Sequence, residues 1–205
     1  CPTGVDMSRM KTEFLYHYNR RHGLTLRDKL VAYLPRYAPW ASKFAWLANL
    51  RDAIPGLAKL SEAIAGLSAK RTLPKWRGDT FDARTQHAGP ADGTPVIILA
   101  DTFNTYFEPE NLIAATRVLA SAGYRVEFAK ALTGERPLCC GRTFLAAGLV
   151  DEARAEATRT IEALKSHVEA GTPIIGLEPS CLLTLRDEFS AMLPGPDSEA
   201  LAAQA

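Results

Sequence analysis

Three of the four cysteines in this 205-residue chain fall in two short segments. Cys139 and Cys140 are adjacent and are followed by a glycine, and Cys181 follows a Glu-Pro-Ser sequence. Each segment lies beyond a stretch of residues that predicts a strand, so all three thiols are expected in loops. Thiolates grouped at loop ends bind soft metals and iron–sulfur centres. The cysteines therefore predict an electron-transfer or metal-binding site.

Other interpretations of the same thiols remain open from the residues alone. Free cysteines often act as small buried apolar residues. A redox dithiol is a second option, in which Cys181 pairs with either neighbour because adjacent cysteines close only a strained disulfide. Zinc is a third option, and Asp101 or Glu178 could then supply the fourth ligand.

Cys1 is followed directly by Pro2, as the last cysteine of a bacterial ferredoxin motif is. The earlier cysteines of such a motif are not in this sequence, so that cluster could not form from this chain alone. A chain that starts with cysteine rather than methionine is expected to be a fragment of a longer protein.

The composition is that of a globular protein, with 47% hydrophobic and 23% charged residues. No apolar run approaches the roughly 18 residues of a membrane span, and the first residues lack the pattern of a signal peptide. Two adjacent cysteines do not suit a secreted disulfide framework. These features predict a reducing, cytoplasmic location.

Charge is divided unevenly along the chain. Residues 1–88 contain 15 lysines and arginines against 7 aspartates and glutamates, whereas residues 89–205 contain 9 against 16. Such a division predicts two structural units, with the basic one docked on the acidic half, a partner domain or a membrane surface. No nucleic-acid-binding motif is present. The aromatic residues among the basic ones follow a helical spacing, which favours packing on a neighbouring domain over a membrane or quinone contact.

The pattern of apolar residues changes at residue 95. Residues 1–67 predict a helical arm, and residues 68–94 predict a linker or an extended crossing segment. Residues 95–205 alternate between strands and helices, which predicts a parallel sheet with right-handed crossovers. The tail from Pro194 is expected to be frayed or truncated. The predicted strands cover 96–100, 125–128 and 172–177, and the predicted helices cover 109–122, 143–167 and 180–192.

Ligands of an open parallel sheet bind beyond the carboxyl ends of its strands. All three internal cysteines fall at that edge, and helices that begin near Arg142 and Ser180 would direct amide groups at the sulfurs. We therefore expect Cys139, Cys140 and Cys181 to converge on one pocket beside Asp101.

Five short motifs resemble one known family. Residues 1–7 and 11–15 resemble the end of the ferredoxin-like segment in large FAD-linked oxidases of the D-lactate, glycolate and 2-hydroxyglutarate type. Residues 101–107, 137–142 and 176–181 resemble the cysteine-rich CCG domain of those proteins, which heterodisulfide reductase subunits share. The implied fold is α/β: a helical N-terminal arm on 1–67, a linker on 68–94, and a truncated, three-layer, Rossmann-like CCG domain on 95–205.

The resemblance implies that this chain is the iron–sulfur electron-transfer portion of a flavin-dependent 2-hydroxy-acid dehydrogenase. FAD would sit on an upstream domain, and electrons would pass to a quinone or a redox protein. The implied partners are the upstream FAD-binding and ferredoxin-like domains, and no nucleic acid. The implied cofactor is a 4Fe-4S cluster on Cys1, Cys139, Cys140 and Cys181, and no complete catalytic site is expected. The implied location is cytoplasmic, with peripheral attachment to the inner membrane as a further option.

The sequence departs from the full CCG pattern at two positions. Asp101 stands where a first cysteine could stand, and Thr184 follows Cys181 at the position of a second one. The CCG segment thus has three thiols, whereas the full pattern has five. The alternative interpretation is therefore a non-redox interaction module, whose degenerate site binds zinc or no metal.

Overall fold

Three short parallel strands lie at the centre of the second half of the chain. In the computed structural model, which describes residues 4–83, 86–132 and 136–205, they are β1 (Thr94–Leu99), β2 (Tyr124–Phe128) and β3 (Ile174–Gly176). Their order is β2-β1-β3, and β1 pairs in parallel with both neighbours. The parallel sheet and the mixed α/β class predicted from the sequence are confirmed. Cys1 lies outside the described residues.

Most of the described chain is helical. The first half contains α1 (Met7–His22), α2 (Leu26–Ala32), α3 (Leu34–Lys43), α4 (Ala45–Ala48), α5 (Leu50–Ala53) and α6 (Leu57–Ala65). The second half contains α7 (Thr102–Tyr106), α8 (Pro109–Ser121), α9 (Arg142–Ala146), α10 (Val150–Glu169), α11 (Pro179–Leu183), a π-helical turn (Thr184–Glu188), α12 (Phe189–Met192) and α13 (Pro196–Gln204). No helix among the described residues is long and apolar enough to cross a bilayer.

Side chains of β1 alternate between two apolar clusters, as expected for a strand with period two. Ile97 and Leu99 belong to a cluster that includes Phe144, Leu164 and Phe189. Val96 and Ile98 belong to a second cluster with Phe81, Leu112, Val126 and Phe128. The strand is therefore buried on both faces, which explains why its sequence is an unbroken apolar run.

Residues 68–83 and 86–93, the described parts of the segment between the helical arm and the sheet, contain no helix. The side-chain amide of Asn49, at the end of α4, forms two hydrogen bonds with the backbone of Trp76 in this segment. Its Nδ2 donates to the Trp76 carbonyl and its Oδ1 accepts from the Trp76 N–H, each at 2.9 Å. Further along, the Phe81 N–H donates to the Thr105 carbonyl, and Ala88 forms an isolated antiparallel bridge with Val126. The segment is thus held to both halves of the chain.

The prediction of a frayed tail is wrong. Residues 196–204 form α13, whose Leu201 is only 1% exposed and belongs to the larger apolar cluster. The Ser198 hydroxyl donates to the Leu193 and Gly195 carbonyls at 2.7 and 2.9 Å. The sequence pattern did not predict this helix because its apolar face is short. The helix is stabilised by packing on α10.

Helix α1 is seated on the turn that precedes α10. The Asn19 side-chain amide donates to the Ala147 carbonyl at 2.8 Å. Gly148 has a φ of +72°, and a Cβ built there would lie 2.6 Å from the Leu15 backbone. A glycine is therefore needed at this position both for its conformation and for the close approach of α1.

We predict that Gly148→Ala loosens α1 from the second half of the chain. Gly171→Ala is the matched control, because Gly171 has a similar φ of +68° but open space around a Cβ. The control should lose about 1–2 kcal/mol in free energy of unfolding from left-handed strain, and Gly148→Ala should lose about 1–3 kcal/mol more from overlap. Urea unfolding measures the free energy of unfolding of both variants. Equal losses would contradict the close contact between α1 and Gly148.

Candidate functional site

The three described cysteines line one cavity at the carboxyl edge of the sheet. This cavity has a volume of about 170 Å³, and Cys139, Cys140, Cys181 and Asp101 all line it. Most of its other walls are apolar, and two of them, Val31 and Pro35, come from the helical arm. The predicted convergence of the three thiols beside Asp101 is confirmed. The helical arm therefore supplies part of the cavity wall.

The sulfur atoms have different surroundings. The Cys140 and Cys181 Sγ atoms lie 3.1 Å apart, and both residues are buried. The Cys139 Sγ instead accepts from the Gly141 N–H at 3.3 Å, while the Cys139 carbonyl accepts from the Thr160 hydroxyl at 3.2 Å. Two backbone contacts therefore hold Cys139 in place, and the Cys140 thiol contacts both Cys139 and Cys181.

Local structure explains how the two cysteine segments are presented. Gly141 has a φ of +77° and lies directly against α10, where a Cβ would be 3.1 Å from the Ala153 carbonyl oxygen. Helix α9 starts at the next residue, as predicted. Cys181 lies within the first turn of α11, so the expectation that every internal cysteine falls in a loop is wrong for this one. Helix α11 begins early enough to include it because Pro179 occupies the first helical position.

Protonated thiols are favoured at this site. The pKa of Cys139 is raised well above its usual range by the neighbouring Cys140 thiol and by burial. The contact with Cys139 lowers the pKa of Cys140, but the contact with Cys181 and burial raise it by more, so its net direction is also upward. The expected lowering of these pKa values by the helix N-termini is therefore outweighed. Burial disfavours a charged thiolate unless a cation is present to balance it.

Asp101 and Glu178 are both used as helix caps. The Asp101 carboxylate accepts from the Phe103 and Asn104 N–H groups at 2.9 and 3.0 Å and from the Asn104 side-chain amide at 2.7 Å. Glu178 accepts from the Ser180 hydroxyl at 2.7 Å and is not part of the cavity wall. Among the described ranges, no group of three or more His, Cys, Asp and Glu side chains is arranged to hold a metal ion. The thiols therefore suit a soft metal in type, but their described arrangement does not form a metal-binding set.

A buried carboxylate, which the sequence analysis did not single out, lies behind the cysteine loop. Glu156 on α10 is 1% exposed and forms ion pairs with Arg136 and with Arg159, the latter at 2.6 Å. Arg36 from α3 approaches the same carboxylate at 3.8 Å. The signal for this site was an acidic residue on the buried stripe of α10, which otherwise carries Ala153, Ala157, Thr160 and Leu164.

The arginines of this cluster come from three separate parts of the chain. Arg136 is three residues before Cys139, Arg36 belongs to the arm, and Arg159 lies one turn along α10. Arg36 also forms an ion pair with Glu152, and its guanidinium lies over the Phe144 ring at 4.8 Å. Glu156 thereby joins the arm and the cysteine loop to one helix.

We predict that Glu156→Ala destabilises the chain by about 3–5 kcal/mol, because it leaves the arginines around it without their buried counter-charge. Glu156→Gln keeps the shape and some hydrogen bonds, and should cost less. The control is Glu162→Ala, an exposed position on the same helix, for which a change within about 0.5 kcal/mol is expected. Chemical unfolding followed by circular dichroism measures all three, and equal effects at 156 and 162 would contradict the cluster's role.

We also predict that the metal-free protein loses stability in alkali. Because the pKa values of Cys139 and Cys140 are raised in the folded state, the folded chain keeps protons that the unfolded chain releases above about pH 8.5. The free energy of unfolding should be insensitive to these thiols below that pH and should fall as the pH rises beyond it. Urea unfolding with chelator and reductant tests this. A double Cys139→Ser, Cys140→Ser variant should show a smaller alkaline fall.

Comparisons with known proteins find relatives among the dehydrogenases. No family model matches the chain, and no solved structure matches it. It is 27% identical to a subunit of the anaerobic glycerol-3-phosphate dehydrogenase of Escherichia coli strain K12, over 82% of this chain and 42% of that protein. It is 24% identical to D-2-hydroxyglutarate dehydrogenase of the same strain, over 94% of this chain and 19% of that protein. It is 26% identical to D-2-hydroxyglutarate dehydrogenase of Pseudomonas putida, over 95% of this chain and 20% of that protein.

These relatives confirm the resemblance drawn from the cysteine motifs, since 2-hydroxyglutarate dehydrogenases are among the proteins it named. The similarity extends along most of this chain rather than through the motifs alone. The chain spans less than half the length of each of these relatives. All of them are named as dehydrogenases or as part of one.

Proposed function

We propose that this chain is the electron-transfer portion of a flavin-dependent 2-hydroxy-acid dehydrogenase, relaying electrons from FAD on another domain to an acceptor. The observation that carries the proposal is the convergence of Cys139, Cys140 and Cys181 in one cavity at the sheet edge. Similarity to dehydrogenases over most of the chain supports a redox role for that site. The acceptor would be a quinone or a redox protein.

The proposed organisation follows the division of the sequence. Residues 1–67 would be an arm that continues from a ferredoxin-like domain, residues 68–94 a linker, and residues 95–205 a Rossmann-like CCG domain. Apolar clusters on both faces of β1 support the last assignment. The partners would be the FAD-binding and ferredoxin-like parts of the complete protein, in the cytoplasm or at the inner face of the membrane.

The proposed cofactor is an iron–sulfur cluster, which supplies electron transfer when bound and is normally held by four cysteine thiolates. Cys139, Cys140 and Cys181 would provide three of them. Among the described residues no group of three or more possible ligands is arranged to hold a metal, so the three thiols would have to move together on binding. A fourth ligand would also be needed, and Cys1, outside those residues, is the remaining cysteine. What this chain contributes is the placement of three thiols in a largely apolar cavity, where the Gly141 N–H orients the Cys139 sulfur.

A second function is favoured by the two carboxylates. Because Asp101 and Glu178 are both engaged as helix caps, a site limited to three thiols could be a degenerate one. The chain would then be a non-redox interaction module, with zinc or no metal, that holds the flavin and ferredoxin-like parts together.

Anaerobic reconstitution with iron and sulfide distinguishes these functions. The redox proposal predicts broad absorption near about 400 nm, as expected for thiolate-bound clusters, with stoichiometric iron and an absorbance that bleaches on reduction. Cys140→Ser should lose most of the bound iron and still fold, since the apolar strands supply most of the core. Ser180→Ala, at a cavity position without a thiol, is the matched control and should keep the iron.

Three results would count against the proposal or its ligand set. Wild-type protein that stays colourless, iron-free and zinc-free would favour the interaction module. Unfolding of Cys140→Ser, followed by circular dichroism, would show that the site is structural and would remove the main support for electron relay. Cys1→Ser tests the fourth ligand, and unchanged iron content in that variant would exclude Cys1.

A further inference from the structure

Cys140 and Cys181 are already placed as a pair. Their Sγ atoms are 3.1 Å apart, although the residues are 41 positions apart in sequence. A disulfide bond is about 2.05 Å long, so the sulfurs need to approach by only about 1 Å. Each side chain adjoins the same cavity, and each has an exposed fraction of 6% or less. The two thiols are therefore almost fully buried, but they border the cavity.

Cys139 also contacts the Cys140 thiol, but two features make it a poorer disulfide partner. Its sulfur accepts from the Gly141 N–H, and its carbonyl is bound by Thr160 on α10. A disulfide between Cys139 and Cys140 would close a strained ring of adjacent residues. Turning Cys139 towards Cys181 would break its amide contact.

We propose that Cys140 and Cys181 form a reversible two-electron dithiol–disulfide couple when the site holds no metal, while Cys139 remains a thiol. This inference deepens the proposed redox function, but it concerns the metal-free protein and is tested there. It gives the site a second oxidation state that needs no cofactor.

The oxidant in this reaction is a low-molecular-weight disulfide. The thiolate of one cysteine attacks it, which forms a mixed disulfide and releases one small thiol. The second cysteine then attacks the protein sulfur of that mixed disulfide, and a second small thiol leaves. The Cys140–Cys181 bond is formed and the bond of the small disulfide is broken. The two released thiols carry the two electrons and both protons.

The couple competes with metal binding. Metals and clusters are bound by thiolates, and a disulfide removes two of the three sulfurs that line the cavity. The oxidised chain should therefore take up no iron until a reductant reopens the bond. Oxidation would in this way close the cofactor site reversibly.

The experiment uses the full chain, reduced, metal-free and with chelator present. The protein is incubated with excess hydroxyethyl disulfide, its free thiols are alkylated, and the peptides are mapped by mass spectrometry. We expect loss of two of the four thiols, a linked peptide pair joining Cys140 to Cys181, and full recovery with dithiothreitol. Cys139→Ser should also form the linked Cys140–Cys181 peptide pair. Cys140→Ser should form no disulfide within the protein, because a mixed disulfide on Cys181 has no second cysteine to resolve it.

Linkage through Cys139 or Cys1, or four free thiols after oxidation of the folded protein, would overturn the inference. If Cys140→Ser fails to fold, the wild-type peptide map decides alone. Iron reconstitution separates this result from the proposed function. Reduced protein that binds iron but never forms the disulfide would contradict the inference alone, whereas a disulfide in protein that never binds metal would contradict only the cluster.

Discussion

The arrangement of the site depends on the ion pairs of the buried Glu156 carboxylate. It is 1% exposed, and such a charge is stable in a protein interior only when opposite charges reach it. Arg136, Arg159 and Arg36 do so from the cysteine loop, from α10 itself and from the helical arm. The requirement to neutralise one charge therefore acts on segments that also meet in the larger apolar cluster, through Ala32, Leu138 and Ala153.

This arrangement connects the arm with the chemistry of the cavity. Val31 and Pro35 form part of the cavity wall, and the Thr143 hydroxyl in α9 donates to the Ala32 carbonyl at 2.9 Å. The arm therefore excludes water from the thiols as well as docking on the second half. The contact with Cys140 and burial raise the pKa of Cys139. For Cys140 the contact with Cys139 lowers the pKa, and the contact with Cys181 and burial raise it by more. The raised pKa values favour neutral thiols at Cys139 and Cys140.

The proposed iron–sulfur and dithiol states would use the same three thiols in different ways. Three thiols in one apolar cavity suit a soft metal, while the 3.1 Å approach of Cys140 and Cys181 suits a disulfide. Both states keep a role in electron transfer for a chain that resembles dehydrogenases over most of its length. The non-redox alternative instead uses the contacts between arm and sheet, which do not require any reaction at sulfur.

The sequence by itself determined the parallel sheet and the edge that carries the thiols, because strand and helix periodicity are local and parallel strands end at a common edge. Only the tertiary structure decided that Cys140 faces Cys181, that Asp101 and Glu178 are occupied as helix caps, and that α13 is packed rather than frayed. The Glu156 cluster likewise joins residues up to 120 positions apart in sequence. These features depend on how helices dock on the sheet. Distances of that kind are set by the packing of the whole chain, and no short sequence pattern encodes them.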